Sequence, residues 1–379
     1  MEITVTKGVA AGTSQPLHGS ARIPELDGVR AFAVWLVMLA HLIVPDDHAM
    51  QVMAGFIPHP LLVILSHGWM GVDLFFALSG FLITGILLKS KSSPGYFRNF
   101  YIRRIFRIFP LYFGTILVFW LFYGHGAYFL LSLFFLANMA SFFHVGVPHG
   151  PSLYWSLAVE EHFYLVWPLI VRFLSRTWLT VLCLAICVAE PAVRIMTNAA
   201  GLDYYVLTWC RLDGLATGAV LAIWFRSERA TKRNSLILAG AMLCALLLIT
   251  AAGMPFGING TRNPVSVGFR GTQGNLAFGA FLCAAYALRS SQWTAFLRLR
   301  FLTLSGELSY CLYLVHLSVA DGYDFLFTKA LGLPVLTPRE GMFLRAFCVA
   351  AVSWLLAVLS NRYFEGPILA RKERFTVRA

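Results

Sequence analysis

Apolar runs of about twenty residues recur along the chain, separated by short basic or Gly/Pro-containing loops. A run of that length crosses a bilayer as one α-helix. Ten can be drawn, near 26–44, 67–88, 110–124, 152–173, 178–194, 204–225, 235–254, 271–288, 302–320 and 343–361. They predict an all-α, polytopic integral membrane helical bundle with about ten transmembrane helices. Pro110 is expected to start the third span. One more apolar segment, Tyr128–Phe143, would reverse the side of several basic loops if it crossed fully. It is therefore expected to be re-entrant, interfacial or packed on the bundle, with an eleventh span as the alternative.

Composition agrees with this pattern. Of 379 residues, 58% are hydrophobic and 13% charged, where soluble domains carry charge on about a quarter. The net charge of +12 does not point to nucleic acid, because the basic residues sit in loops between spans, as the positive-inside rule requires. All seven cysteines lie in apolar runs, without CxxC or Cys/His metal spacing, so no metal site is expected. Residues 1–21 read as a flexible cytoplasmic tail without signal-peptide features, 22–367 as one transmembrane domain and 368–379 as a basic cytoplasmic tail. Both termini are expected on the cytoplasmic side.

The first span carries the most telling polar residues. Arg30 and His41 are eleven positions apart, about three helical turns, so they share one face roughly 16 Å apart. A histidine in hydrocarbon demands a reason. Asp73, Ser79, Glu160, Glu161, Arg211, Asp213 and His316 fall at similar depth on other spans and are candidates to line one hydrated cavity. Each has a duller reading: Asp73 as a cap, Arg211 and Asp213 as interhelix pairs, His316 as a packing residue. Arg103, Arg104 and Arg107 form a cluster at the cytoplasmic mouth, suited to phosphate oxygens or to anionic lipid headgroups. Gly68, Gly71, Gly80 and Gly85 are expected to let helices approach closely.

The stretches LDGVRAFAVWLVMLAH (26–41), GVDLFFALSGFLIT (71–84), FYIRRIFRIFP (100–110), YWSLAVEEHFYLVWP (154–168), RLDGLATGA (211–219), GELSYCLYLVH (306–316) and EGP (365–367) resemble, in this order, the acyltransferase-3 family of membrane acyltransferases. His162 stands where many members have glutamine. The chain also ends without the appended hydrolase-like domain of some members, which argues against the two-domain peptidoglycan type.

The resemblance implies an acyl-CoA donor, most often acetyl-CoA, used as a substrate rather than a permanently bound cofactor. It also implies a hydroxyl acceptor on a saccharide or glycolipid. Arg30 and His41 correspond to the family's essential first-span pair, Arg103, Arg104 and Arg107 to its donor-side motif, and Glu160 to its carboxylate block. On this reading His41 is the base or a transient acyl carrier, and Glu160 orients its ring. The rival is a secondary transporter or flippase that uses His41, Asp73 and Glu160 as a proton relay.

Overall fold

The structure, a computed structural model, describes residues 22–44, 47–124, 126–260, 263–327 and 339–377. The proposed tail 1–21 lies outside them. The chain forms α1 (Pro24–Ile43), α2 (Asp47–Met53), α3 (His59–Ser66), α4 (Gly71–Ser90), α5 (Tyr96–Tyr123), α6 (Ala127–Leu133) and α7 (Tyr154–Phe173). It continues through α8 (Arg176–Ala199), α9 (Leu212–Trp224), α10 (Lys232–Gly253), α11 (Pro264–Ala287), α12 (Arg300–Phe325), α13 (Arg339–Ser360) and α14 (Gly366–Ala370). No strand occurs among the described residues.

Helix ends follow local chemistry. Pro24 opens α1, where a missing N–H costs nothing. Ser175, Thr231 and Asn263 cap α8, α10 and α11 through their side chains. Pro110 does not start a span as expected. It sits inside α5, which begins fourteen residues earlier and carries the basic stretch as its first turns. Proline removes only one intrahelical bond, a loss that a helix of 28 residues absorbs.

Among the described residues, six helical segments are long and apolar enough to cross a bilayer: Pro24–Ile43, Gly68–Ser90, Tyr96–Tyr123, Arg176–Ala199, Lys232–Phe256 and Gly341–Ala370. That is fewer than the ten expected. Among the other long helices, α7 carries Glu160, Glu161 and Arg172, and α12 carries Glu307, Asp321 and Asp324, which lower their hydropathy. The 204–225 run is helical in α9 for only thirteen residues. The segment 127–143 contains no helix of spanning length: α6 has seven residues, about 10 Å. Its backbone is bonded largely by turns within the segment, such as Leu136 N–H to the Leu131 carbonyl at 2.8 Å, and Tyr112 donates to the Ser132 carbonyl at 2.8 Å, in keeping with the need to satisfy every backbone group at membrane depth.

Helix α4 is the centre of the bundle. Its most apolar window is 72% buried by protein against 11% for the α10 segment, so α10 faces lipid. The closest pairs are α4 with α9 and α1 with α12. A Cβ on Gly80 would collide with the Leu215 carbonyl, and one on Gly218 with the Ala77 carbonyl. Glycine there lets α4 and α9 touch backbone to backbone. Helices α1 and α12 run parallel: the Asp27 carbonyl faces Gly306 near their starts, and His41 meets His316 near their ends. Helices α4 and α7 run parallel to each other, joined by Ser79–Tyr164 and by Trp167 donating to Thr84 at 2.8 Å.

The C-terminal residues do not hang free. Val377 exchanges two backbone hydrogen bonds with the Asn99 side chain, at 2.7 and 3.0 Å, and Phe375 packs on Phe106.

Candidate active site

A cavity of about 230 Å³ opens between α1, α4, α5, α7 and α12. At one end it is lined by Arg30, Arg104 and Arg107, in its middle by Ser79, Glu160, Glu161 and Tyr164, and at the other end by Phe75, Phe76, Ser156 and Tyr313. Helix α5 supplies Arg104 and Arg107, three positions apart and so on one face, while Arg103 is exposed and does not line the cavity. Successive helical residues point about 100° apart, which is why one arginine of the adjacent pair is turned away.

The arginine end is positively charged and incompletely neutralised. Arg30 reaches Asp27 at 3.2 Å, but Asp27 is also held by Arg22 at 2.6 Å. Arg104 and Arg107 form no ion pair among the described residues, and the buried Nε of Arg104 has no hydrogen-bond partner there. Its guanidinium lies 5.8 Å over the Tyr164 ring, which holds it in place. A guanidinium whose buried Nε is unpartnered among the described residues, beside the exposed Arg107 and next to an apolar passage, suits a polyanion with an apolar arm.

In the middle of the cavity, Ser79 donates to the Tyr164 hydroxyl, which donates to Glu160 Oε2 at 2.9 Å. Glu161 Oε1 is buried without a partner. The expected Glu160–His41 contact is absent. Glu160 lies six residues into α7, whereas His41 stands past the start of α4, since Gly68 already abuts Ala40. The two are at different depths, and Tyr164 takes the carboxylate instead.

His41 and His316 do not line this cavity. The cavity ends at the rings of Phe75 and Tyr313, 5.9 Å apart and edge to face, with the Tyr313 hydroxyl 2.7 Å from Ser156 Oγ. Beyond Tyr313, at 6.1 Å between ring centres, is His316, whose Nε2 lies 3.0 Å from His41 Nδ1. The unbroken passage expected from the arginines to His41 is thus closed by two aromatic side chains.

Asp73, Arg211 and Asp213 also lie off the cavity. Asp73 accepts from Arg211 at 2.5 Å, and both are almost fully buried. The guanidinium sits among the rings of Phe76, Trp155 and Tyr205. Asp213 pairs instead with Arg194 of α8, which also donates to the Cys210 and Gly268 carbonyls at 3.0 and 2.8 Å. These are interhelix ties, the duller of the two readings of Arg211 and Asp213. His162 accepts from or donates to Thr208 at 2.7 Å, and Asn138 donates to the same hydroxyl at 2.8 Å. It therefore anchors the 127–143 segment.

Sequence reasoning missed Tyr164, Tyr313, Arg194 and the pair His149–Asp321, joined at 2.6 Å at the His41 end. Tyr164 follows Glu160 by four residues on one helix, a same-face spacing that signals it. No local signal distinguishes Tyr313 from its aromatic neighbours.

The family model described as an acyltransferase domain matches residues 23–362. The chain belongs to the acyltransferase-3 family. Among its relatives, this acyltransferase-3 chain is similar to the peptidoglycan O-acetyltransferase OatA of Listeria monocytogenes, at 28% identity over 93% of this chain and 56% of that protein. It is also similar to the O-acetyltransferase OatA of Staphylococcus aureus, at 26% identity over 95% of this chain and 59% of that protein. The chain thus spans a little over half the length of these curated relatives. The relative named for peptidoglycan is matched along 93% of this chain, so the expectation against a peptidoglycan-type enzyme finds no support in the acyltransferase-3 portion. No solved structure gave a significant match.

Proposed function

We propose that this protein is a multi-pass membrane O-acyltransferase that moves an acyl group, acetyl by analogy with the names of its relatives, from cytoplasmic acyl-CoA to a saccharide hydroxyl. The acceptor class would be an envelope glycan, an exopolysaccharide or a glycolipid. The observation that carries this is the arginine-ended cavity, whose buried Arg104 Nε has no partner among the described residues, running toward an imidazole pair. CoA phosphates would sit at Arg30, Arg104 and Arg107, and the acyl-pantetheine arm would follow the cavity past Ser79 and Tyr164. Displacement of the Tyr313 ring would let the thioester meet His41.

There His41 would take the proton of the acceptor hydroxyl as its oxygen attacks the thioester carbonyl. The carbon–sulfur bond breaks, and the proton passes to the leaving thiolate to give CoA and the ester. A positioned base of this kind contributes about 10²–10⁴-fold.

The same reading places about ten spans in a bacterial inner membrane with both termini cytoplasmic. Its support is that α1 with α12 and α4 with α7 run parallel, as a chain whose successive spans alternate in direction would place the first with the ninth and the second with the fourth. The transport alternative is less well supported, since His41, Asp73 and Glu160 bond to different partners and form no chain.

The test supplies labelled acetyl-CoA to proteoliposomes with a soluble peptidoglycan fragment or another oligosaccharide. Label should appear on the saccharide and disappear in His41→Ala, while that variant still inserts. Unmodified saccharide crossing the membrane, with no label transferred, would overturn the proposal.

A further inference from the structure

The inference rests on the reading of His41 as the base, and concerns which of its two nitrogens does the work. His316 is wholly buried. Its Nδ1 lies 2.9 Å from the Tyr313 carbonyl and 3.1 Å from the Leu312 carbonyl, one turn earlier in its own helix. A carbonyl oxygen only accepts, so this nitrogen carries the hydrogen. In a neutral ring the opposite nitrogen, Nε2, then holds a lone pair. That lone pair faces His41 Nδ1 at 3.0 Å, so His41 Nδ1 must be the donor. The ring centres are 5.3 Å apart with planes inclined by only 17°, and with the facing nitrogens at 3.0 Å this separation fits rings placed end to end in one plane, the geometry of a hydrogen bond rather than of a face-to-face stack.

The consequence falls on the far side of the His41 ring. With hydrogen on Nδ1, its Nε2 is the free lone pair, and His41 is only partly buried whereas His316 is sealed. A cationic His316 would reverse the arrangement, leaving His41 Nε2 protonated and useless as a base. No carboxylate contacts the His316 ring among the described residues, and an unpaired cation in such a place is strongly disfavoured.

We propose that His316 is a positioning residue: anchored to the carbonyls of its own helix, it fixes His41 in the tautomer whose Nε2 accepts the acceptor-hydroxyl proton. It fills the place for which a carboxylate was expected, but it is neutral. Second partners of a histidine commonly set tautomer and ring direction in this way. When His41 takes up the proton at Nε2, its Nδ1–H bond to His316 becomes charge-assisted and stronger.

The experiment combines kinetics with nitrogen NMR on the full chain in detergent or bilayer. In histidine-labelled wild type, the His41 signals, assigned by their loss in His41→Ala, should show a protonated Nδ1 and a bare Nε2. In His316→Leu the preference should disappear and kcat should fall by at least about tenfold, with the KM for acetyl-CoA unchanged. His316→Gln, whose amide oxygen can accept from His41 Nδ1, should recover most of kcat.

A wild-type His41 protonated on Nε2 would overturn the proposal, as would a folded His316→Leu variant with unchanged kcat. Should His316→Leu fail to fold, the wild-type spectrum and the Gln variant still decide. Retained activity in His41→Ala would remove the base itself, a failure of the underlying reading that leaves the tautomer measurement independent.

Discussion

The Tyr313 ring lies 6.1 Å from the His316 ring and, with Phe75, closes the cavity on the histidine side. If the acyl arm passes here, Tyr313 is the side chain that must yield. Tyr313→Trp should lower kcat by about tenfold or more while leaving acyl-CoA affinity unchanged, because misplacing reacting groups by 1 Å can cost about 10²-fold. Tyr313→Phe loses only the bond to Ser156, of about 1 kcal/mol, and should retain or exceed the wild-type rate. Steady-state kinetics on proteoliposomes decides. A Trp variant with normal kcat would show that the donor takes another route.

The arginines separate by face. Arg104→Ala should raise the KM for acyl-CoA by about 10- to 100-fold, the loss of one or two charge-assisted bonds of about 1.5–3 kcal/mol. Arg103→Ala, on an exposed residue, should change it less than threefold. Direct binding of CoA by calorimetry gives the comparison. Equal effects would mean that the cluster acts as a diffuse basic patch on lipid headgroups.

Asp73 and Arg211 are a structural pair with no wall of the cavity to line. Asp73→Ala leaves a buried arginine unpaired and should destabilise by about 3–5 kcal/mol. The double variant Asp73→Leu with Arg211→Met should recover much of that loss and keep acyl transfer. Thermal unfolding in detergent, read beside activity, tests both parts. A stable but inactive double variant would return the pair to the chemistry and favour a relay.

Outside the spans, the hydrogen bond from His149 to Asp321 raises the His149 pKa above the usual 6.5, against the opposing effect of partial burial. A raised folded value means that the pair's stabilisation is full below about pH 6.5 and is lost as pH rises through the folded value. The His149 side chain is 64% exposed, so the contribution is small and weakened by salt. The melting temperature should therefore decline slightly from pH 6 to 8, and His149→Gln should remove that slope. An unchanged slope in the variant would assign it to other groups.

Several residues were legible for identifiable reasons. Arg30, Ser79, Glu160 and Glu161 could be placed at membrane depth because a helix advances a fixed rise per residue, and the structure sets all four around one cavity. Arg194 was not legible. It stands at the edge of an apolar run, where an arginine ordinarily reaches for the interface, yet it is 2% exposed and bound to Asp213. Likewise, Glu160 and His41 fall at similar depth by span position, but Glu160 lies six residues into α7 while His41 stands past the start of α4, and that difference in depth defeats the pairing.

From the sequence alone came the helical class, the membrane setting, the family likeness and the set of polar groups on each span. Hydropathy, helical rise and motif order are local properties, written in consecutive residues. The tertiary structure alone decided who meets whom: Glu160 with Tyr164, Asp73 with Arg211, Asp213 with Arg194, His41 with His316. Those contacts depend on which helices are neighbours and how each is turned about its axis. In a bilayer, backbone-close packing such as that of Gly80 and Gly218 sets both, over separations of up to 275 residues that no local pattern encodes.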